Sequence, residues 1–223
     1  MSRRDAYPMS IRWSLVIPVK TLVAAKTRLA AATGPHRTRL AVAVACDTVA
    51  AALSCPPVAR VVVVTADPAA AGPLAALGAD VVPDPDRGLN TALRTGAAHA
   101  VRVAPGDAVG ALQADLPALR PAELAVALEA AAEFDQSFVP DALDVGTTFY
   151  GVLPGRPFGP RFGGESRAKH LAAGAKELCV PGIDSLRRDV DTPDDLRAAI
   201  RLGLGEHTAA VVADLWPLTP PPA

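Results

Sequence analysis

Two kinds of charge in this chain stand where they could handle a phosphate. In Val16-Ile-Pro-Val-Lys-Thr-Leu-Val-Ala-Ala-Lys-Thr-Arg-Leu-Ala30, the cations Lys20, Lys26 and Arg28 follow an apolar run and lie among small or apolar residues. A loop leaving the first strand of an α/β sheet sits at the carboxyl edge, where such folds bind ligands. Phosphate is the natural guest for it; the alternative is a solvated basic loop, because Lys and Arg are seldom buried. The loop contains neither Gly-x-Gly-x-x-Gly nor Gly-Lys-Ser/Thr, so side-chain charge rather than a glycine cradle would hold the anion.

The second kind is carboxylate. Val109-Gly-Ala-Leu-Gln-Ala-Asp-Leu-Pro117 is an apolar strand that ends in Asp115 and is stopped by proline. A carboxylate at the end of a central strand is costly unless a cation meets it, and magnesium bridging nucleotide phosphates would do so. Asp115 can equally cap the turn before Pro117. Magnesium commonly takes one or two carboxylates together with phosphates and water, and the second is expected in Arg188-Asp-Val-Asp-Thr-Pro193. There Asp189 and Asp191 project the same way from an extended segment. Asp191 precedes a helix-start sequence and suits a structural role, which leaves Asp189 as the second ligand; both aspartates can also serve only to organise that helix.

Two glycine-bearing segments complete the candidates. In Asp86-Arg-Gly-Leu-Asn-Thr-Ala-Leu93, Gly88 allows close approach to a ligand and Asn90 offers a donor and an acceptor for a base or ribose edge, or else an N-cap. Pro160-Arg-Phe-Gly-Gly-Glu-Ser-Arg-Ala-Lys-His170 places Gly163 and Gly164 ahead of a helix starting near Glu165 or Ser166. Backbone N–H groups and a hydroxyl would converge there, with Arg161, Arg167 and Lys169 adding charge. His36, His99, His170 and His207 show no metal-ligand spacing and read as surface or packing residues. No nucleophilic Ser or Cys setting stands out, which speaks against covalent catalysis.

The elements that must position these residues follow from the pattern. Trp13 to Val19 and Arg60 to Thr65 are apolar strands suited to burial on both faces. Gly78 to Pro83 and Ala108 to Gln113 are further strands, and Arg37 to Leu53, Asp67 to Leu77, Leu89 to Val103 and Pro121 to Phe134 are helices. This alternation predicts a parallel sheet covered on both sides. From Ser137 the rhythm changes, and Ser137 to Pro140, Thr147 to Leu153 and Leu178 to Ile183 read as mixed strands between Gly/Pro-rich loops. Leu186 to Val190 reads as extended, followed by a helix through Leu202 with Thr192 as N-cap and Pro193 at the first helical position.

With 223 residues, 50% of them hydrophobic and only 4% aromatic, the chain suits one domain with a core of small aliphatic side chains. Residues 1–12 and 216–223 are expected to be flexible ends of that single domain, 1–223. A formal net charge of -1 gives no basic field for nucleic acid or an anionic membrane. Cys46, Cys55 and Cys179 are odd in number and widely spaced, which reads as reduced thiols. No apolar run reaches the roughly 18 residues of a membrane span, and no signal-peptide pattern is seen, so a cytoplasmic protein is expected.

Val-Lys-x-Leu-x-x-Ala-Lys-Thr-Arg-Leu, Asp-Leu-Pro at Asp115 and Arg-Phe-Gly-x-x-Ser at Arg161 to Ser166 together resemble the CofC/FbiD family, the phosphoenolpyruvate and 2-phospho-L-lactate guanylyltransferases of coenzyme F-420 biosynthesis. The resemblance runs from Val16 to about Gly203. It implies a three-layer, Rossmann-like nucleotide-diphospho-sugar transferase (GT-A-like) fold with a mostly parallel central sheet. It further implies GTP as co-substrate on Lys20, Lys26, Arg28, Gly88 and Asn90, and magnesium on Asp115 and Asp189. Thr147, Gly163 and Ser166 match the acceptor positions, and Lys26, Asp115 and Asp189 carry the catalysis. Phosphoenolpyruvate is the implied acceptor, 2-phospho-L-lactate its rival, and a downstream transferase that consumes the labile product the implied partner. Two other readings remain at this point: a GT-A-type glycosyltransferase using Asp189-Val-Asp191, and a non-catalytic nucleotide-binding module.

Overall fold

The computed structural model describes residues 11–20 and 36–215. Lys26 and Arg28, and the ends 1–10 and 216–223, lie outside the described residues. Seven strands form one sheet: β1 (Trp13–Val19), β2 (Val58–Thr65), β3 (Asp80–Pro83), β4 (Ala108–Leu112), β5 (Gln136–Pro140), β6 (Thr147–Val152) and β7 (Lys176–Glu177). Their order across the sheet is β3-β2-β1-β4-β6-β5-β7. Pairings from β3 to β4 are parallel; β6 runs antiparallel to both β4 and β5, and β5 pairs in parallel with β7.

Strand β1 is buried along its whole length, and its side chains divide by the two-residue period of a strand. Trp13, Leu15, Ile17 and Val19 face one hydrophobic layer with α1 (Arg37–Leu53) and α4 (Pro121–Ala131). Val16 faces the other, with Val62 and Val64, against α3 (Leu89–Val103). Helix α3 approaches closely because Gly96 has no side chain: a Cβ there would lie 2.4 Å from Val16 Cγ1 and 2.7 Å from Val64 Cγ2. Small residues are therefore needed on this helix face, which carries Ala92, Ala97 and Ala100 in the core.

The short helix α2 (Pro68–Ala76) is capped by the Asp67 side chain, which accepts from Ala69 N–H. Two helices close the chain beyond the sheet, α7 (Pro193–Leu202) and α8 (Glu206–Leu215). They pack on α1 through Leu40, Val44, Val190, Leu196, Ala199 and Val211. Thr192 and Asp195 form a reciprocal capping box at the start of α7, as the sequence predicts for Thr192.

Three expectations need correction. The strand expected over Leu178 to Ile183 is displaced to Lys176–Glu177, and Leu178 follows it outside the ladder, tied by its N–H to the Phe138 carbonyl at 2.9 Å. Leu186 to Val190 is not extended throughout: α6 (Asp184–Arg187) is a single helical turn with Leu186 in the core. Helix α8 was not anticipated. Its start is capped by Asp47 of α1, whose carboxylate accepts the N–H groups of His207 at 3.0 Å and Thr208 at 2.7 Å.

Candidate active site

The chain moves outward from β1 to β3 and then crosses back to β4, so β1 and β4 flank the point where the connections reverse. Ligands in such sheets bind beyond the carboxyl ends of the strands there. Lys20, exposed, follows β1 at this edge, and Gln113 to Asp115 follow β4. Because β6 is antiparallel, Thr147 at its beginning faces the same edge. Thr148 confirms the placement, its carbonyl accepting from Gln113 N–H at 2.9 Å.

The turn that carries Asp115 is fixed by a buried residue of α1. Thr48 Oγ1 accepts from Leu116 N–H at 3.1 Å and lies 3.1 Å from the Ala114 carbonyl, so it holds the peptide groups on both sides of Asp115. The Asp115 carbonyl in turn accepts from Val190 N–H at 3.0 Å, which sets Asp189 beside it. Burial first, then the charges of Asp115, Asp141 and Asp191, push the Asp189 carboxyl up to about 7. Like charges have been gathered into a poorly solvated corner, a donor set that a divalent cation would neutralise.

Of the four aspartates, two have structural duties. Asp141 Oδ1 accepts the N–H groups of Leu143 and Val145, and Oδ2 accepts that of Gly146 at 2.8 Å, so its carboxylate organises the β5–β6 loop. Arg187 closes the same loop, donating to the carbonyls of Pro140 and Asp141 and to Asp144 Oδ1. Asp191 is exposed at the mouth of the α7 capping box, where its own N–H meets Asp195 Oδ2 at 3.3 Å. Asp115 and Asp189 are neighbours at this edge. Among the described residues no group of three or more His, Cys, Asp or Glu side chains is placed to hold a metal ion.

Gly88 has φ 85° and is itself the N-cap residue of α3, so Asn90 is not the cap. Instead the Asn90 carboxamide pairs with both backbone polar groups of Phe162, seventy-two positions away. Oδ1 accepts Phe162 N–H at 2.9 Å and Nδ2 donates to the Phe162 carbonyl at 3.0 Å. The segment expected at the nucleotide is thereby bonded to the loop expected at the acceptor.

Within that acceptor loop, Gly163 (φ 99°) and Gly164 (φ 57°) adopt the backbone region that favours glycine and lead into α5 (Ser166–Ala172). Thr147 and Ser166 are both buried and in contact, Ser166 Oγ donating to Thr147 Oγ1 at 3.0 Å. The expected cluster of backbone donors is partly consumed: Ser166 N–H binds the Gly164 carbonyl and Arg167 N–H binds the Val145 carbonyl. Two of the expected cations also have other tasks. Arg167 makes a two-pronged pair with Glu177 at 3.0 and 3.1 Å, and Lys169 Nζ donates to the Gly163 carbonyl at 2.7 Å.

His170 is a packing residue, one of the two alternatives expected, and it also has polar contacts that the sequence did not indicate. It is fully buried and joins Thr147 to the Arg161 backbone. Its position four residues after Ser166 puts both on one helix face, which is the signal that could have found it. Thr48 carries no such signal: its local contact, to the Val44 carbonyl, is ordinary for a helical threonine, and its contacts with Ala114 and Leu116 lie more than sixty positions away.

A family model described as "Guanylyl transferase CofC like" matches residues 13–215. The chain belongs to this family. It is 74% identical over 200 residues to the phosphoenolpyruvate guanylyltransferase of Streptosporangium roseum, covering 90% of each chain. It is 60% identical over 221 residues to the enzyme of that name from Thermomonospora curvata, covering 99% of this chain and 97% of the other. Among solved structures, a protein from Desulfovibrio desulfuricans G20 described as a nucleotide-diphospho-sugar transferase superposes with a TM-score of 0.68 at 19% identity, covering 91% of this chain and 94% of the other. A 4-diphosphocytidyl-2C-methyl-D-erythritol synthase superposes with a TM-score of 0.56 at 17% identity, covering 86% and 98% respectively. The expected three-layer architecture is therefore the observed one. As a CofC-like guanylyl transferase the protein is a nucleotidyltransferase, and the glycosyltransferase and non-catalytic readings are set aside. Among the described residues no helix is long and apolar enough to cross a membrane.

Proposed function

We propose that the protein joins GMP from GTP to the phosphate of phosphoenolpyruvate, giving enolpyruvyl-diphospho-guanosine and pyrophosphate. The observation that carries this reading is the 74% identity over nine-tenths of both chains to a phosphoenolpyruvate guanylyltransferase. An acceptor phosphate oxygen attacks the α-phosphorus of GTP, the new P–O bond forms, and the bond to the β-phosphate oxygen breaks with its electron pair leaving on pyrophosphate. The phosphate monoester is already an anion, so no general base is required.

What remains is positioning and charge. Asp115 and Asp189 would hold magnesium, which when bound supplies the positive charge that offsets the phosphates in the transition state. Lys20 lies at the end of β1, and Lys20, Lys26 and Arg28 would balance the triphosphate, Lys26 offsetting charge on the α-phosphoryl and leaving oxygens. Gly88 and Asn90 border the nucleoside, and Thr147, Gly163 and Ser166 receive the acceptor. The labile product calls for a transferase that consumes it directly, in coenzyme F-420 biosynthesis, and nucleotide substrates of this kind place the reaction in the cytoplasm.

The test is pyrophosphate release by the purified protein with GTP and magnesium, run with phosphoenolpyruvate, with 2-phospho-L-lactate and with no acceptor, and with the product mass determined. Release that depends on phosphoenolpyruvate is expected. Release with 2-phospho-L-lactate alone would replace the acceptor, and release with neither would overturn the reading.

A further inference from the structure

His170 has no exposed surface and touches β5, β6 and the Arg161–Phe162 loop. Its ring stacks on Tyr150 of β6 with centroids 4.8 Å apart and on Phe138 of β5 at 5.4 Å, and Phe162 meets it edge-on at 5.5 Å. Both nitrogens are engaged. Nε2 lies 3.0 Å from the Arg161 nitrogen and accepts its N–H, so in the neutral ring the proton is on Nδ1. Nδ1 lies 3.1 Å from Thr147 Oγ1, so with its proton there it can only donate to that oxygen and cannot accept from it, and the Ser166 carbonyl shares the proton. Burial, followed by the charges of Arg161 and Lys169, holds the imidazole neutral, down to about 4.

The tautomer has a consequence for Thr147. Its oxygen receives one hydrogen bond from His170 Nδ1–H and a second from Ser166 Oγ–H at 3.0 Å. Both lone pairs are then used, and the Thr147 hydroxyl proton has to be given to a group outside this network. At its other nitrogen the same ring anchors the Arg161 backbone, one residue from Phe162, with which Asn90 pairs, and two from Gly163.

We propose that His170 is a positioning residue of the acceptor subsite: a neutral, single-tautomer imidazole that turns the Thr147 hydroxyl into a donor toward the acceptor and holds the turn carrying Gly163. This rests on the reading of Thr147, Gly163 and Ser166 as the acceptor subsite.

The test is steady-state pyrophosphate release by His170→Phe, His170→Asn, Thr147→Ala and the double variant His170→Phe/Thr147→Ala, with KM measured separately for phosphoenolpyruvate and GTP. His170→Phe keeps the ring stack and loses both nitrogen contacts. Its KM for phosphoenolpyruvate should rise about 10- to 100-fold, the size of leaving one or two buried polar groups unpaired, while KM for GTP stays within about twofold. His170→Asn retains a donor near Thr147 and should recover part of the loss. The double variant should be scarcely worse than His170→Phe, because the two residues act through one contact. An unchanged KM for phosphoenolpyruvate in His170→Phe, or both KM values rising in step, would overturn the proposal. Should His170→Phe fail to fold, His170→Asn decides: a selective rise in the acceptor KM supports the proposal and no rise overturns it. If Thr147→Ala raises that KM and neither His170 variant does, only this inference falls. If Thr147→Ala also leaves it unchanged, the acceptor reading falls as well.

Discussion

At one end of the strand edge, Asp115 and Asp189 bring like charges into a poorly solvated corner, and the Asp189 carboxyl is driven to about 7 as a result. At the other end, Thr147, Ser166 and His170 are more deeply buried but carry no charge, and their polar atoms pair with one another and with the Arg161 backbone. The first arrangement is destabilising until a cation arrives; the second is tied together within the protein, with the Thr147 hydroxyl proton left for a group outside it. Charge that must be answered from outside suits a metal and nucleotide end. A network answered from inside suits the precise orientation of a small acceptor. A buried carboxylate elsewhere shows that charge alone does not make a site: Asp47 accepts two backbone N–H groups and caps a helix.

The largest effect is expected from Asp115→Asn. Removing that carboxylate should lower turnover by at least about 100-fold, the scale on which losing one group that offsets transition-state charge is felt. Thermal stability should be unchanged or slightly raised, because repulsion with Asp189 is relieved. Full activity in that variant would erase the contrast between the two ends.

Titration of His170 probes the other end. An ordinary histidine value of 6.5 against about 4 in the folded protein corresponds to roughly 3 kcal/mol. The sign follows from proton binding: between these values the unfolded chain holds the proton and the native chain does not. This contribution is therefore intact above pH 6.5 and is lost as pH falls toward 4. Urea unfolding at pH 7 and pH 4.5 should show the loss in the wild type and a smaller one in His170→Phe; equal losses would show that the ring is not held neutral.

Gly96→Ala should cost about 1–3 kcal/mol, because the added methyl meets two core valines and cores resist overpacking. Asp47→Ala should cost about 1 kcal/mol as a lost helix cap, with catalysis unaffected per folded molecule. A larger loss of activity than of folded protein in the Asp47 variant would show that the α8 cap and the catalytic edge are coupled.

The parallel half of the sheet was legible because its signals are local. The valine run of β2 and the helix over Leu89 to Val103 need no distant partner to be recognised, and Asp115 stands at the end of an apolar strand that proline stops. The other half depends on contacts far apart in sequence. The single-turn helix at Asp184–Arg187 is held by Glu123, which accepts from Ser185 N–H and Oγ. Helix α8 starts against an aspartate 160 positions earlier. Asn90 pairs with Phe162, seventy-two positions away, and the role of His170 emerges only when β5, β6 and the Arg161 loop close around it.

The most direct measurement is Mn²⁺ binding followed by electron paramagnetic resonance in the presence of GTP and without acceptor, comparing the wild type with Asp189→Asn and Asp191→Asn. Loss of about 10- to 100-fold in metal affinity in Asp189→Asn, with Asp191→Asn within about threefold of the wild type, is the predicted result. Undiminished Mn²⁺ affinity in Asp189→Asn would contradict the assignment of this carboxylate corner to the metal.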